Sequence, residues 1–183
     1  MNKQDFIFFT VPNLYSCTSK ADAVKKINEH KDSQIVIVDL NKFEDMYLDK
    51  YLNRTRAFVK IQDGCENFCS YCIIPFVRGK CRSKDFNKTL EEINTLVNNG
   101  FKEIVLTGIH TGNYGRDINT NFAELLREIV KIKDLKRIRI SSIEITELDD
   151  KFMEVLKNKK IVDHIHIPLQ SGCDKTLKEM NRK

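Results

Sequence analysis

Apolar positions along this chain follow two periods, and the two alternate. Short apolar runs fall at 57–62 (AFVKIQ), 102–107 (KEIVLT), 137–142 (RIRISS) and 161–167 (IVDHIHI), each of strand length. Between them the apolar residues recur at helical spacing. Ile93, Leu96 and Val97 share one face of TLEEINTLVNNG, and Phe122, Leu125, Leu126, Ile129 and Val130 share one face of the next segment. ELDDKFMEVLKN reads as a third helix. Thr89 with Glu92, and Asn121 with Glu124, predict capped helix starts, and Gly100 predicts a helix stop. Strand and helix in alternation predict parallel strands joined by right-handed crossovers, hence an α/β fold. Four such strands make an incomplete barrel or a small open sheet. The final DKTLKEMNRK reads as a helix cut short, so a fragment is expected.

The first third reads differently. FIFFT (6–10) and QIVIVDL (34–40) predict two strands around a helix, SKADAVKKINEH, with Ala21, Val24 and Ile27 on one face. NKFEDMYLDKYLNRTR is charged and irregular in period, which predicts a short helix and a linker. A boundary near residue 53 therefore divides residues 1–52, a β-α-β unit, from residues 53–183.

Composition narrows the class. Of 183 residues, 41% are hydrophobic and 31% charged, enough for a core and a soluble surface. No apolar run reaches the roughly 18–20 residues of a membrane span. The opening MNKQDFIFFTVPN has too short an apolar run for a secretory signal. A cytoplasmic protein is expected, in which thiols stay reduced and clustered cysteines point to metal rather than disulfides. The net charge of +5 permits an anionic partner such as nucleic acid but equally fits a solvated surface.

Four of the six cysteines lie in DGCENFCSYCIIPFVRGKCRSK, residues 63–84, and Cys65, Cys69 and Cys72 have C-x3-C-x2-C spacing. Structural zinc takes four ligands in a closed tetrahedron. Cys81 could be the fourth, across the intervening IIPFVRG. The run is not that of a ferredoxin. Three thiolates suit a [4Fe–4S] cluster whose fourth iron is open to a small molecule, and the C-terminal end of a barrel strand is a natural place for it. Zinc and unliganded thiols remain alternatives.

With an aromatic residue, Tyr71, before the last cysteine, this spacing resembles the radical S-adenosylmethionine superfamily. GCENFCSYCIIPFVRG, LTGIHTGNYGRD, RISSIE and HIHIPLQSGCDKTLKEMNRK resemble, in order and spacing, the methylthiotransferases. Within them the resemblance is to the bacterial group acting on threonylcarbamoyladenosine in tRNA. It covers roughly residues 57–183. It implies a partial (β/α) radical-SAM barrel preceded by a remnant of a flavodoxin-like βαβ domain. It also implies that Cys65, Cys69 and Cys72 hold the cluster, and that S-adenosylmethionine chelates the open iron. One electron, from a donor such as flavodoxin or ferredoxin, would release a 5′-deoxyadenosyl radical, and a methylthio group would go to C2 of the modified adenosine beside the anticodon.

Further roles follow by position. Tyr71 would lie beside the adenine. Gly108 would let backbone approach the methionyl amino group, or serve as a turn. Ser141, Ser142 and Glu144 would bind the ribose or methionyl part, or cap a strand end. Gln170 and Ser171 would face the same mouth. Arg78, Lys80, Arg82 and Lys84 would contact tRNA phosphates, or form a solvated loop. His110 and Tyr114 would line the pocket for the splayed base, or lie on the surface. Cys81 and Cys173 would be bystander thiols.

The sequence departs from the family in one respect. Members carry three further cysteines for a second cluster that handles sulfur, whereas Cys17 alone precedes Cys65 here. A second [4Fe–4S] cluster is therefore not expected, and the chain looks stripped at both ends. An inactive iron–sulfur protein, a sibling enzyme acting on another tRNA base or on a ribosomal protein, and a zinc-bound interaction module are the competing readings.

Overall fold

A computed structural model describes residue 43 and residues 55–182. The predicted β-α-β unit of residues 1–52, the boundary near 53, and Cys17 lie outside the described residues. In order, the elements are β1 (Ala57–Lys60), β2 (Gln62–Asp63), α1 (Ile74–Arg78), β3 (Arg82–Ser83) and α2 (Phe86–Asn98). Then come β4 (Glu103–Thr107), α3 (Phe122–Ile129), β5 (Arg137–Ile140), α4 (Asp150–Leu156) and α5 (Asp174–Glu179), with 3-10 turns at Thr111–Asn113 and Ile145–Glu147.

The predicted parallel pairing is present: β1, β4 and β5 form one sheet in that order. Its register aligns Val59 with Leu106 and Leu106 with Ile140. These rows pack with Ile93, Leu96, Leu125, Leu126, Ile129 and Phe152 into one core. The Phe122 and Phe152 rings stack at 5.7 Å, joining α3 to α4. Central β4 is buried along Glu103–Leu106, as expected of a parallel strand covered on both faces.

Three local expectations change. The run 57–62 is not one strand. Ile61 still donates to Thr107 O, but Gln62 and Asp63 leave the sheet to pair antiparallel with β3. This two-rung ladder turns the chain out of the sheet at the C-terminal end of β1. The run 161–167 is not a continuous strand: it touches β5 and its extension through single parallel bridges, Ile138 to Ile161 and Ser142 to His166. Between them His164 N–H donates to Val162 O at 2.7 Å, a tight turn that breaks the ladder.

The Thr89–Glu92 capping box also gives way. Asp85 caps α2 one turn earlier, its Oδ1 accepting from Lys88 N–H at 3.0 Å. Asp competes well for this position because its carboxylate reaches the orphan amides directly. Thr89 lies inside the helix and donates to Asp85 O, and Glu92 is buried against Lys84 at 2.5 Å. Gly100 does end α2, at φ +100°, and the Gly100→Val97 and Phe101→Leu96 bonds form a Schellman closure. Asn121 caps α3 as expected, accepting from Glu124 N–H at 2.9 Å.

Glu103 gathers Arg137 at 2.8 Å, Arg139 at 3.2 Å and Arg56 at 3.6 Å. Burial pushes its carboxyl up, but Arg139, Arg137 and Arg56 outweigh burial and hold it below its ordinary 4.5. A carboxylate with a lowered folded pKa stabilises the fold above its unfolded pKa, and that contribution fades as pH falls through the folded value. The melting temperature of wild type should therefore exceed that of Glu103→Gln from neutral pH down to about 4.5, and the gap should close below it. A gap that ignores pH would remove the charge from this account.

Candidate functional site

The β2–β3 ladder closes a loop, residues 64–81, that carries Cys65, Cys69, Cys72 and Cys81. The closure is tight. Gly64 sits at φ +77°, and a Cβ there would lie 2.0 Å from Lys80 O, so this position accepts no side chain. Cys65 N–H donates to Gly79 O at 3.1 Å and Cys72 N–H to Cys69 O at 2.9 Å, curling the loop around its thiols. Pro75 opens α1. Phe68, at φ +47°, and Phe76 meet edge to face at 5.7 Å on the outer side. Cys69 is buried, Cys65 and Cys72 are half-buried, and all three are free.

The turn after α5 clamps this loop with three successive residues. Ser70 N–H donates to Met180 O at 3.0 Å. The Asn181 side chain donates to Asn67 O and Phe68 O. The Arg182 guanidinium reaches the Cys69 sulfur at 3.6 Å and the Tyr71 hydroxyl at 3.4 Å, and pairs with Glu144. A cavity of about 290 Å³ opens beside Cys69, lined among others by Glu66, Glu144, Lys178, Asn181 and Arg182. It thus presents carboxylates and cations together.

Cys65 has a different cationic neighbour. His110 Nδ1 lies 3.7 Å from its sulfur, and His110 Nε2 lies 2.5 Å from Glu147 Oε1. Burial disfavours the charged ring, but Cys65 and Glu147 outweigh it and push His110 up to about 9. Burial raises the Cys65 thiol, and the His110 contact leads the effects that bring it below its ordinary 9.0. Cys81 sits on the same side, its sulfur accepting from Gln62 Nε2 at 3.2 Å. Burial pushes that thiol up.

Three free thiols on one loop are the donor set that a cluster takes. Among the described residues no three His, Cys, Asp or Glu side chains gather around one metal position. A cluster spreads its thiolates over separate irons. The two cations also suit it: His110 and Arg182 each face one sulfur, which offsets the thiolate charge.

The other predicted residues are distributed unevenly. Glu144 lines the cavity. Tyr71 is exposed at its rim, held by Arg182. The Ser141 hydroxyl lies 3.2 Å from that of Thr111, and Ser142 bridges to His166. The close approach at Gly108 is to Gln62, whose Cβ and Oε1 lie 3.0 Å from where a Cβ would stand. Gln170 is exposed at φ +61°, and Ser171 accepts from Cys173 N–H. Lys80 is exposed and Arg78 half-exposed.

Arg82 and Lys84 are corrections. Arg82 turns inward to Asp63 and to the carbonyls of Arg78 and Lys80, and Lys84 is buried on Glu92, because the ladder folds this end of the loop under α2. Tyr114 is also a correction: it is a core residue donating to Lys84 O, and burial pushes its hydroxyl up to about 12. His110 is buried beside Cys65 rather than on the surface. Sequence reasoning gave no role to Gln62, Asn113, Glu147, Lys178 or Arg182. For Arg182 a signal existed, since it lies inside the quoted MNRK.

Among known proteins, the sequence profile of the radical SAM superfamily matches residues 59–183. A threonylcarbamoyladenosine tRNA methylthiotransferase of Bacillus subtilis is 49% identical over 150 residues, 80% of this chain and 33% of that protein. A tRNA-2-methylthio-N(6)-dimethylallyladenosine synthase of Acetivibrio thermocellus is 39% identical over 159 residues, 83% of this chain and 33% of that protein. The chain thus spans about a third of the length of these relatives. A solved radical S-adenosylmethionine methyltransferase of Kitasatospora setae shares the fold, with a TM-score of 0.55 at 18% identity over 67% of this chain and 23% of its own. Among the described residues no helix is long and apolar enough to cross a membrane.

Proposed function

Since this chain belongs to the radical SAM superfamily, we propose that it forms the core of a tRNA methylthiotransferase acting at C2 of N6-threonylcarbamoyladenosine. The observation that carries the reading is the loop 64–81, which holds three free thiols, one of them, Cys69, opening on a cavity lined by both signs of charge. Cys65, Cys69 and Cys72 would hold a [4Fe–4S] cluster. When bound, the cluster and S-adenosylmethionine supply one-electron cleavage chemistry, strong enough to activate an inert C–H bond.

The chain's own residues bind and shield. The methionyl end of S-adenosylmethionine is a zwitterion. Glu144 and Glu66 suit its ammonium, and Arg182 and Lys178 suit its carboxylate. Tyr71 at the rim offers a stacking face for the adenine. Ser141, Ser142, Gln170 and Gly108 would complete the mouth at the C-terminal ends of the strands. Lys80, exposed on the cysteine loop, and Arg78, half-exposed and 3.7 Å from Asp63, would meet tRNA phosphates. Both relatives above are named for adenosine modification in tRNA; the one at 49% identity is named for the threonylcarbamoyl substrate, while other relatives so named, at 35% and 36%, fall below the dimethylallyl one at 39%.

Anaerobic reconstitution tests the reading. The 183-residue chain should take up about four irons and release 5′-deoxyadenosine on reduction. Nucleoside mass spectrometry with tRNAs bearing threonylcarbamoyl- or dimethylallyladenosine then identifies the substrate. Absence of iron uptake would overturn the cluster, and methylthiolation confined to the dimethylallyl tRNA would reassign the substrate.

A further inference from the structure

We propose that His110 is a positioning residue for the cluster, donating a hydrogen bond to the Cys65 sulfur and thereby raising its reduction potential. The proposal rests on the reading above that Cys65 is an iron ligand. Its basis is a built environment that the core does not require. His110 is held on every side. Its backbone N–H donates to Gln62 Oε1 at 2.6 Å, and Nε2 faces Glu147 Oε1 at 2.5 Å. The Asn113 amide lies 2.8 Å from Nδ1, and an amide presents either end by a half-turn.

The carboxylate is itself anchored. Glu147 Oε2 accepts from Glu144 N–H at 2.9 Å. It reaches this position past Gly112, where a Cβ would lie 2.1 Å from Glu147 Oε2. Burying a carboxylate and an imidazole is costly unless they are paired. Both side chains are nearly inaccessible, at 8% and 4% exposure. With Glu147 beside Nε2, the ring turns Nδ1 toward both the Asn113 amide, 2.8 Å away, and the Cys65 sulfur, 3.7 Å away. A proton on Nδ1 is then shared between the amide oxygen and the sulfur, and the pairing with Glu147 favours the protonated ring that can supply it.

Hydrogen bonds to the sulfurs of an iron–sulfur cluster stabilise the more negative, reduced state, and partners of metal ligands set ligand orientation. Glu147 also ties this device to the cavity, because its Oε2 holds the backbone of Glu144, whose carboxylate pairs with Arg182. The sulfurs of Cys65 and Cys69 are thus linked through His110, Glu147, Glu144 and Arg182.

Redox titration of the reconstituted chain, followed by electron paramagnetic resonance, tests this without assaying turnover. His110→Leu should load iron like wild type but favour the reduced state about tenfold less, a negative shift of about 59 mV for one electron. His110→Gln, which keeps an amide donor, should recover most of the shift, and Glu147→Gln should move the potential the same way by less. Failure of the wild type to bind iron would defeat the cluster reading itself. A loaded His110→Leu chain at the wild-type potential would overturn this proposal alone. If His110→Leu does not load, equal potentials for wild type, His110→Gln and Glu147→Gln, or a His110→Gln potential well below that of Glu147→Gln, would overturn it.

Discussion

Cys69→Ala is expected to abolish iron uptake, taking the reconstituted chain from about four irons to near none. Cys69 is the most buried of the three thiols and occupies the middle of the loop, so its loss removes one of three anchors. Among the described residues two further thiols remain. Cys81 lies on the Cys65 side, engaged by Gln62 and near Asn113, and Cys173 is exposed at the start of α5. Cys81→Ala and Cys173→Ala should accordingly keep full uptake. Iron counting, visible absorption and far-UV circular dichroism distinguish ligand loss from misfolding. Full uptake by Cys69→Ala would sink the ligand assignment. Loss of uptake in Cys81→Ala would promote Cys81 to a ligand, and a colourless zinc-loaded wild type would return the site to a closed tetrahedral metal.

What could be read from the sequence was local. Asn121 and Glu124 sit three residues apart on one turn, so the α3 start needs no information from elsewhere. The cysteine spacing is similarly contained in one loop. The start of α2 was misplaced because Asp85, one turn upstream, outcompetes Thr89, and Glu92 is engaged by Lys84 instead. The split of 57–62 depends on non-local pairing: Ile61 is held by Thr107 and Lys84 together. The electrostatic partners of the thiols were the least accessible part. His110 meets Cys65 across 45 residues, and Arg182 meets Cys69 across 113. The run of charge, read beside the tRNA that the resemblance implies, offered Arg82 and Lys84 as phosphate contacts or as a solvated loop, and neither reading records that a two-residue ladder turns them inward. Only topology brings the end of α5 back onto the cysteine loop.

Arg182→Ala is the second large effect, and it falls on S-adenosylmethionine rather than on iron. Arg182 is mostly buried, pairs with Glu144 and touches both the Cys69 sulfur and the Tyr71 hydroxyl. Removing it leaves the Glu144 carboxylate uncompensated in the cavity where the ligand carboxylate is proposed to bind. Truncating one partner of a desolvated charge pair costs about 2–3 kcal/mol, or roughly 30- to 150-fold in affinity, taken at the low end because the pair is partly open to solvent. Equilibrium binding of S-adenosylmethionine to the cluster-loaded chain should show that loss with iron content unchanged. Arg182→Lys should fall between, because a lysine keeps the charge but not the fork that spans Glu144, Cys69 and Tyr71. A purely structural role for Arg182, as part of the clamp made by residues 180–182, gives a different result: the melting temperature falls while ligand affinity holds. Combining Arg182→Ala with Glu144→Gln separates the two further. Residues acting as one unit give a double loss smaller than the sum of the single losses, and independent contacts give the sum. A strictly additive double variant would dissolve the pair as a unit of ligand recognition and leave each charge to be explained alone.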